Sequence, residues 1–369
     1  MSGLHWQRII SGANCSITAV AARAGLSLLE PLYGTGVGLR NAMFDYGLRK
    51  PRHLGRPVIS VGNLSAGGTG KTPMVMELSA RLLRMGANPA ILLRGYGSAD
   101  SSADHGQPIS DEVELHRQAF DGRVPVQAHP DRAVAARRVL QEHDHTDVFL
   151  LDDGFQRRQT HRDLDIVLVD ATDPFGYGHL LPRGLLRESM RSLKRADTVI
   201  ITRADRIEPH ILQNLIQSLA SRASVKASAV SICDFHWTGW RTNDTGILPM
   251  GELSKSRVFA FCGIANPSVF EAMLTEQVAA VVGKYIFADH YRYDDPGLLK
   301  RLAVEAKKAG AEALVTTEKD WMKLRRQWNC QLQPLALYRP ALEVSFREDG
   351  CQVDALLRNC LAASREQSA

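Results

Sequence analysis

With 369 residues the chain is long enough for two domains. Its 44% hydrophobic and 23% charged residues fit a soluble globular protein, and a formal charge of +5 is too mild to call for nucleic acid. The six cysteines, Cys15, Cys233, Cys262, Cys330, Cys351 and Cys360, are scattered without a C-x-x-C pair, which argues for a reducing compartment and against a disulfide framework or a zinc site.

Ile9 to Leu39 is rich in apolar and small residues, but Arg23 and Glu30 interrupt it, so no uncharged stretch is long enough to span a membrane. It lacks a signal-peptide cleavage pattern. Two readings stay open: a helix packed on the first domain, or an amphipathic helix in a membrane interface. Arg40, Arg49, Lys50, Arg52 and Arg56 follow it, and a basic run of that kind suits an anionic cytoplasmic surface.

Pro57–Val61 is a buried strand that enters Ser65-Ala66-Gly67-Gly68-Thr69-Gly70-Lys71-Thr72, and a helix is expected from there through Pro73–Met85. A strand, a glycine-rich turn and a helix start form a phosphate loop: backbone N–H groups close on phosphate oxygens, with the helix N-terminus favouring anions. Lys71 would reach the β- and γ-phosphates and Thr72 would ligate Mg²⁺. Ser65 stands where the first glycine of the usual pattern is expected.

Ala90–Leu93 is a second strand, ending in Arg94-Gly95-Tyr96-Gly97, and Asp111–Ala119 and Asp131–Glu142 read as helices. The Asp111-Glu112 pair in a first turn either complements the helix dipole or offers a base or a metal contact. Val148–Leu151 is an apolar strand that ends in Asp152-Asp153, the acid a nucleotide site needs beside its phosphate loop to hold Mg²⁺ directly or through water. Ile166–Val169 and Thr198–Ile201 are further strands, so a mostly parallel sheet covered on both faces is expected. Arg94, Arg132, Arg183 and Arg187 sit beside turns or strand ends, and several guanidinium forks around one cleft suit a substrate with two phosphate groups. Thr202-Arg203-Ala204-Asp205 is read as a strand end.

Val225–His236 reads as extended and Trp237–Pro249 as turn-rich, which makes 224–255 the candidate connector. A second α/β unit follows, with strands Arg257–Gly263 and Ala313–Thr316 and helices Pro267–Leu274 and Pro296–Ala309. His290 lies beside Asp289, which can orient or charge it for acid–base work; a lone histidine is otherwise structural. The expected parts are 1–40, a helical segment; 41–223, the phosphate-loop core; 224–255, the connector; 256–358, a smaller α/β domain; and 359–369, a flexible tail.

In order along the chain, Val61–Pro73, Arg94–Gly97, Asp111-Glu112, Pro130–Arg132, Leu151–Gln156, Arg162–Asp165, Phe175–Gly178, Leu180–Glu188, Phe287–His290 and Thr316–Asp320 resemble the tetraacyldisaccharide 4′-kinase family, the lipid A 4′-kinases of Gram-negative bacteria. The family's loop also carries a hydroxyl residue at the Ser65 position. The resemblance implies transfer of the ATP γ-phosphate to the 4′-hydroxyl of a tetraacyldisaccharide 1-phosphate. It also implies attachment to the cytoplasmic face of the inner membrane through the N-terminal helix. It casts Asp111 as the base, His290 as its tuning partner, and Lys71 and Thr72 as holders of phosphate and Mg²⁺. Asp152 and Asp153 would serve the metal and its waters with Glu112 and Glu188 nearby, and Arg132 and Arg187 would offset phosphate charge. Domain closure is expected to bring Asp111 and His290 together. Arg157 stands where many members carry histidine. No obligate protein partner is expected.

The main rival is a membrane-associated ATPase switch of the partitioning type, whose hallmark is a second lysine five positions before the loop lysine; here that position is Ala66. A GTP-dependent metal-insertion chaperone would want a His/Cys cluster, which the cysteines do not offer.

Overall fold

A computed structural model of the chain describes residues 3–95, 111–223, 225–226, 229–242, 246–289, 291–295, 297–325, 328 and 335–368. The chain divides into two compact units, one built from His5–Phe235 with Val344–Ala369 and one centred on His236–Glu343.

The larger unit begins at His5 within α1 (Gly3–Ile10) and continues with α2 (Ile17–Asp45), the latter capped by Ser16, whose hydroxyl accepts from the Ala19 amide. Then come β1 (Val58–Asn63), α3 (Lys71–Arg84), β2 (Pro89–Leu93), α4 (Asp111–Ala119), β3 (Val126–Ala128), α5 (Arg132–Glu142), β4 (Val148–Asp152), β5 (Leu164–Asp170), β6 (Thr198–Thr202), α6 (Pro209–Ala223) and β7 (Val230–Arg241). The strands pair in parallel in the order β7-β6-β5-β1-β4-β2-β3, with Ser60 opposite Leu151 on one side and Asp165 on the other.

The central strands are apolar at successive positions because both faces are covered. Ile59, Val61, Ile91, Leu93 and Leu150 point into a core with Met74, Val75, Leu78 and Leu82 of α3. Val58, Ala90, Leu92, Phe149 and Leu151 point the other way, onto Ala135, Ala136 and Val139 of α5. The mostly parallel, helix-flanked sheet is the fold class expected from the sequence. It puts the ends of β1, β4, β5 and β6 on one edge, where such sheets carry ligands.

Two boundaries differ from expectation. Strand β7 runs through Arg241, across what reads as a turn-rich connector. Its Trp240 is fully buried and donates Nε1–H to the Met250 carbonyl at 3.0 Å. Gly239 within it serves a close approach: a Cβ there would lie 2.3 Å from the Ile247 side chain and 2.4 Å from the Leu248 carbonyl of the antiparallel β8 (Ile247–Leu248). At the other end, the expected tail is helical through Ser368. Val353, Leu357 and Cys360, at helical spacing, pack with Val344 and Phe346 into the core of the larger unit, so residues 344–358 belong there and not to the second domain.

The smaller unit holds β9 (Arg257–Cys262), α7 (Pro267–Gln277), β10 (Ala280–Ile286), α8 (Leu298–Lys308), β11 (Ala313–Val315), α9 (Glu318–Leu324) and most of β12 (Ala336–Phe346). Its strands pair in parallel in the order β10-β9-β11-β12. The helix after β12, α10 (Cys351–Ser368), returns to the larger unit. Among the described residues, no helix is long and apolar enough to cross a membrane.

Candidate active site

The phosphate loop leaves β1 pinned on both flanks. Its first half pairs with the segment before Glu188: the Ala66 amide donates to the Leu185 carbonyl at 2.6 Å, and the Arg187 amide to the Leu64 carbonyl at 2.7 Å. Ser65 is buried and its backbone bridges Leu186. Its second half ends at Gly70, which caps α3 in the left-handed region with φ 86°. Phe235 fills the space over Gly70: a Cβ there would stand 2.0 Å from the ring. Glycine is therefore required twice over, by backbone conformation and by packing.

Lys71 turns back over the loop. Its ammonium donates to Asn63 Oδ1 at 3.0 Å and lies 3.5 Å from Asp153. Asn63 in turn donates Nδ2–H to the Ser65 carbonyl, and its own carbonyl accepts from Gln156 Nε2, each at 2.7 Å. Asp153 sits in the left-handed region with φ 57°, and Arg187 donates to both of its carboxylate oxygens at 2.9 Å. Burial alone would raise the Asp153 carboxyl, but Lys71 and then Arg187 outweigh it and hold the group below the usual carboxylate range.

Asp152, at the end of β4, has its Oδ2 3.5 Å from the Thr72 hydroxyl. The same oxygen is 3.5 Å from Nε2 of His116, a fully buried side chain on α4. This contact places the helix that begins with Asp111 and Glu112 beside Asp152. Asp111 is half-buried at the first position of that helix. Arg132 is buried under this edge, donating to the carbonyls of Leu93 and, at 2.8 Å, of His129. Burial, and then the neighbouring Arg157 guanidinium, lower Arg132 to about 10. Arg157 donates to the Pro130 carbonyl at 3.0 Å.

The structure thus brings together Ser65 to Thr72, Asp152, Asp153, Arg132 and Arg187. Glu188 turns elsewhere: buried, its Oε2 accepts from Asn41 of α2 at 2.8 Å and from Arg195 at 2.9 Å. Arg183 is likewise engaged away from the loop, on the Ile10 carbonyl at 2.8 Å. Tyr96 and His290 lie outside the described residues. In the smaller unit Asp289 and Lys319, from two of the quoted motifs, stand 3.6 Å apart. Asp320, fully buried, accepts from the Gly263 amide at 3.0 Å and the Thr317 hydroxyl at 2.7 Å.

Among the described residues, no group of three or more His, Cys, Asp or Glu side chains could hold a metal by itself. The donors near Thr72 are hydroxyl and carboxylate oxygens. That set fits Mg²⁺, which binds through one or two carboxylates together with substrate phosphates.

The profile of the family described as tetraacyldisaccharide-1-P 4′-kinase matches residues 22–361. The chain belongs to that family. The tetraacyldisaccharide 4′-kinase of Geobacter sulfurreducens is 36% identical over 331 residues, covering 86% of this chain and 89% of the relative. That of Anaeromyxobacter sp. (strain Fw109-5) is 38% identical over 331 residues, 86% of this chain and 87% of the relative. The crystal structure of LpxK from Aquifex aeolicus in complex with ATP matches with a TM-score of 0.70 at 27% identity, over 92% of this chain and 99% of that one. The switch reading finds no support at Ala66, whose amide is spent on Leu185 and which offers no side-chain cation.

Several site residues are not evident from sequence. His116 lies outside the quoted motifs, and Asn63 and Gln156 fall inside two of them without any local sign that they meet across 93 positions. For His116 the available signal is its place on the helix that starts at Asp111-Glu112.

Proposed function

We propose that this chain transfers the γ-phosphate of ATP to the 4′-hydroxyl of a tetraacyldisaccharide 1-phosphate, as the family's name describes. The observation that carries the reading is the convergence of Lys71, Thr72, Asp152 and Asp153 around a glycine loop, in a chain matched by that family from residue 22 to 361.

Phosphoryl transfer goes through a loose transition state, so positioning and charge supply most of the catalysis. Loop amides and Lys71 would hold the phosphates, with Lys71 exchanging Asn63 and Asp153 for β- and γ-oxygens. Arg187 and Arg132 would offset the remaining charge. Thr72 and Asp152, with Asp153 and Glu112 nearby, would hold Mg²⁺, which when bound neutralises charge on the β- and γ-phosphates. Glu188 would act from behind, by fixing Arg195 and Asn41. The 4′-oxygen forms a bond to the γ-phosphorus as the bond to the β–γ bridging oxygen breaks. ADP leaves, and the hydroxyl proton passes to the Asp111 carboxylate, with His290 as the residue that tunes that base.

The substrate is a lipid, and α2 has the form of an interfacial helix. Ile17, Val20, Leu28, Leu32 and Leu39 recur at helical spacing and are exposed. On the opposite side, Glu30 accepts from the Leu180 amide at 2.8 Å and Tyr33 donates to the Arg187 carbonyl at 3.1 Å. The helix would lie with its apolar row in the cytoplasmic face of the inner membrane, the basic residues after it facing anionic headgroups. An open groove of about 630 Å³ beside it, lined by Leu180, Leu186, Met190 and Arg191, would receive part of the lipid.

The test is incubation with ATP, Mg²⁺ and detergent-dispersed tetraacyldisaccharide 1-phosphate. A product heavier by one phosphate, located at the 4′-position by NMR, is expected. Phosphate on another hydroxyl, or none, would contradict the proposal.

A further inference from the structure

The end of β6 reaches the phosphate loop with two consecutive residues that the proposed chemistry does not use. The Thr202 hydroxyl donates to the Thr69 carbonyl at 3.2 Å. The next residue, Arg203, sits in the left-handed region with φ 56°. Its guanidinium donates through Nη2 to the Gly68 carbonyl at 2.9 Å and through Nη1 to Asp170 Oδ2 at the end of β5. The same guanidinium lies 5.4 Å over the ring of Phe235, the ring that fills the space above Gly70. Thr202 is fully buried and the Arg203 side chain is 13% exposed.

A planar trans peptide points its C=O and the following N–H in opposite directions. Holding the Gly68 carbonyl against the sheet therefore turns the Thr69 amide away from it, and holding the Thr69 carbonyl does the same for the Gly70 amide. In this structure the Thr69 amide closes a three-residue turn on the Gly67 carbonyl at 3.2 Å, a single long bond that a phosphate oxygen can replace. Asp170 keeps the guanidinium in place and Phe235 keeps it flat. A point-charge ammonium could not engage the carbonyl, the carboxylate and the ring face together.

We propose that Thr202 and Arg203 are positioning residues of the phosphate loop: they clamp two successive carbonyls so that the Thr69 and Gly70 amides are presented to phosphate oxygens before nucleotide arrives. The inference rests on reading this loop as an ATP site. Preorganisation of this kind acts on nucleotide affinity and leaves the lipid side of the reaction alone.

Isothermal titration of the full chain with a non-hydrolysable ATP analogue and Mg²⁺ tests it on Thr202→Val, Arg203→Lys and Arg203→Gln. Loss of one neutral hydrogen bond should weaken binding by about 3- to 10-fold in Thr202→Val. Loss of the charged clamp should weaken it by about 10- to 100-fold in Arg203→Gln, with partial recovery in Arg203→Lys. KM for ATP should rise in the same order while KM for the lipid stays put. Thr202→Val removes one neutral hydrogen bond and should lower the melting temperature without nucleotide by only a few degrees, so it carries the test even where Arg203→Gln folds poorly. Wild-type affinity in folded variants would overturn the clamp, as would parallel rises in both KM values together with a lower melting temperature. A wild-type chain that binds the analogue but phosphorylates no lipid would contradict the kinase reading and leave the clamp standing.

Discussion

Gly70→Ala should break the link between the phosphate loop and the sheet, at a cost set by the backbone conformation of Gly70 and its contact with Phe235. The residue has φ 86°, and its Cβ would stand 2.0 Å and 2.4 Å from two ring carbons of Phe235. Carbon atoms pack at about 3.5 Å, so the ring must retreat by more than about 1 Å. Phe235 is 4% exposed and lies under Arg203, which leaves it nowhere to go without disturbing that contact. A left-handed alanine costs about 1–2 kcal/mol and overpacking about 1–3 more. The sum of about 2–5 kcal/mol should lower the melting temperature by about 5–15 °C for a unit of this size. Differential scanning fluorimetry on the full chain reads it, with Gly67→Ala as control because a Cβ there meets nothing within 4 Å. Phe235→Leu alone should destabilise, yet Gly70→Ala in that background should cost less than in the wild type, a coupling that a double-mutant cycle measures. A Gly70→Ala variant as stable as Gly67→Ala, or costs that simply add with Phe235→Leu, would refute the packing argument.

Asp111→Asn should lower kcat by about 10²- to 10⁴-fold while the affinity for ATP stays within about threefold. A large loss of ATP binding would remove Asp111 from the role of base. Burial raises Asp165 to about 6, with Arg162 Nε at 3.3 Å partly offsetting it. A carboxyl raised in the folded state binds its proton there first, so its burden on stability is absent well below the ordinary carboxylate range and grows as pH rises through about 6. Asp165→Asn should therefore gain on the wild type between about pH 4 and pH 7, by on the order of 2–3 kcal/mol in urea titrations, and a constant difference across that range would contradict it. Leu28→Glu with Leu32→Glu, both on the exposed face of α2, should leave the melting temperature unchanged and reduce sedimentation with anionic vesicles at least about tenfold. Undiminished sedimentation would move the membrane contact off this helix.

What the sequence discloses here follows the range of the interactions. Strands β1, β4, β5 and β6 are short apolar runs between helical stretches, and the loop at Ser65–Thr72 and the carboxylates at 152 and 153 are contiguous, so local pattern is enough. Strand β7 hides its character because Trp237, Gly239 and Trp240 lack alternation, and Gly239 is there to admit β8. The return of α10 to the larger unit is invisible locally, since Val353, Leu357 and Cys360 make an apolar stripe that would suit either unit. The same limit applies to the site. Arg203 reads as an ordinary strand end until folding sets it against Gly68, 135 positions earlier in the chain. Glu188, sited by motif next to Arg187, is held instead by Arg195 and Asn41, a choice that only the packed helix α2 makes.

A lipid kinase of this kind consumes ATP only as the lipid is phosphorylated. The direct measurement is the ratio of ADP formed to bisphosphorylated lipid formed, for the wild type and Lys71→Ala, with and without tetraacyldisaccharide 1-phosphate. A ratio near one is expected with lipid, little ADP without it, and neither product in Lys71→Ala. Steady ADP production by folded wild-type protein with no new lipid phosphate would contradict it and favour a nucleotide switch.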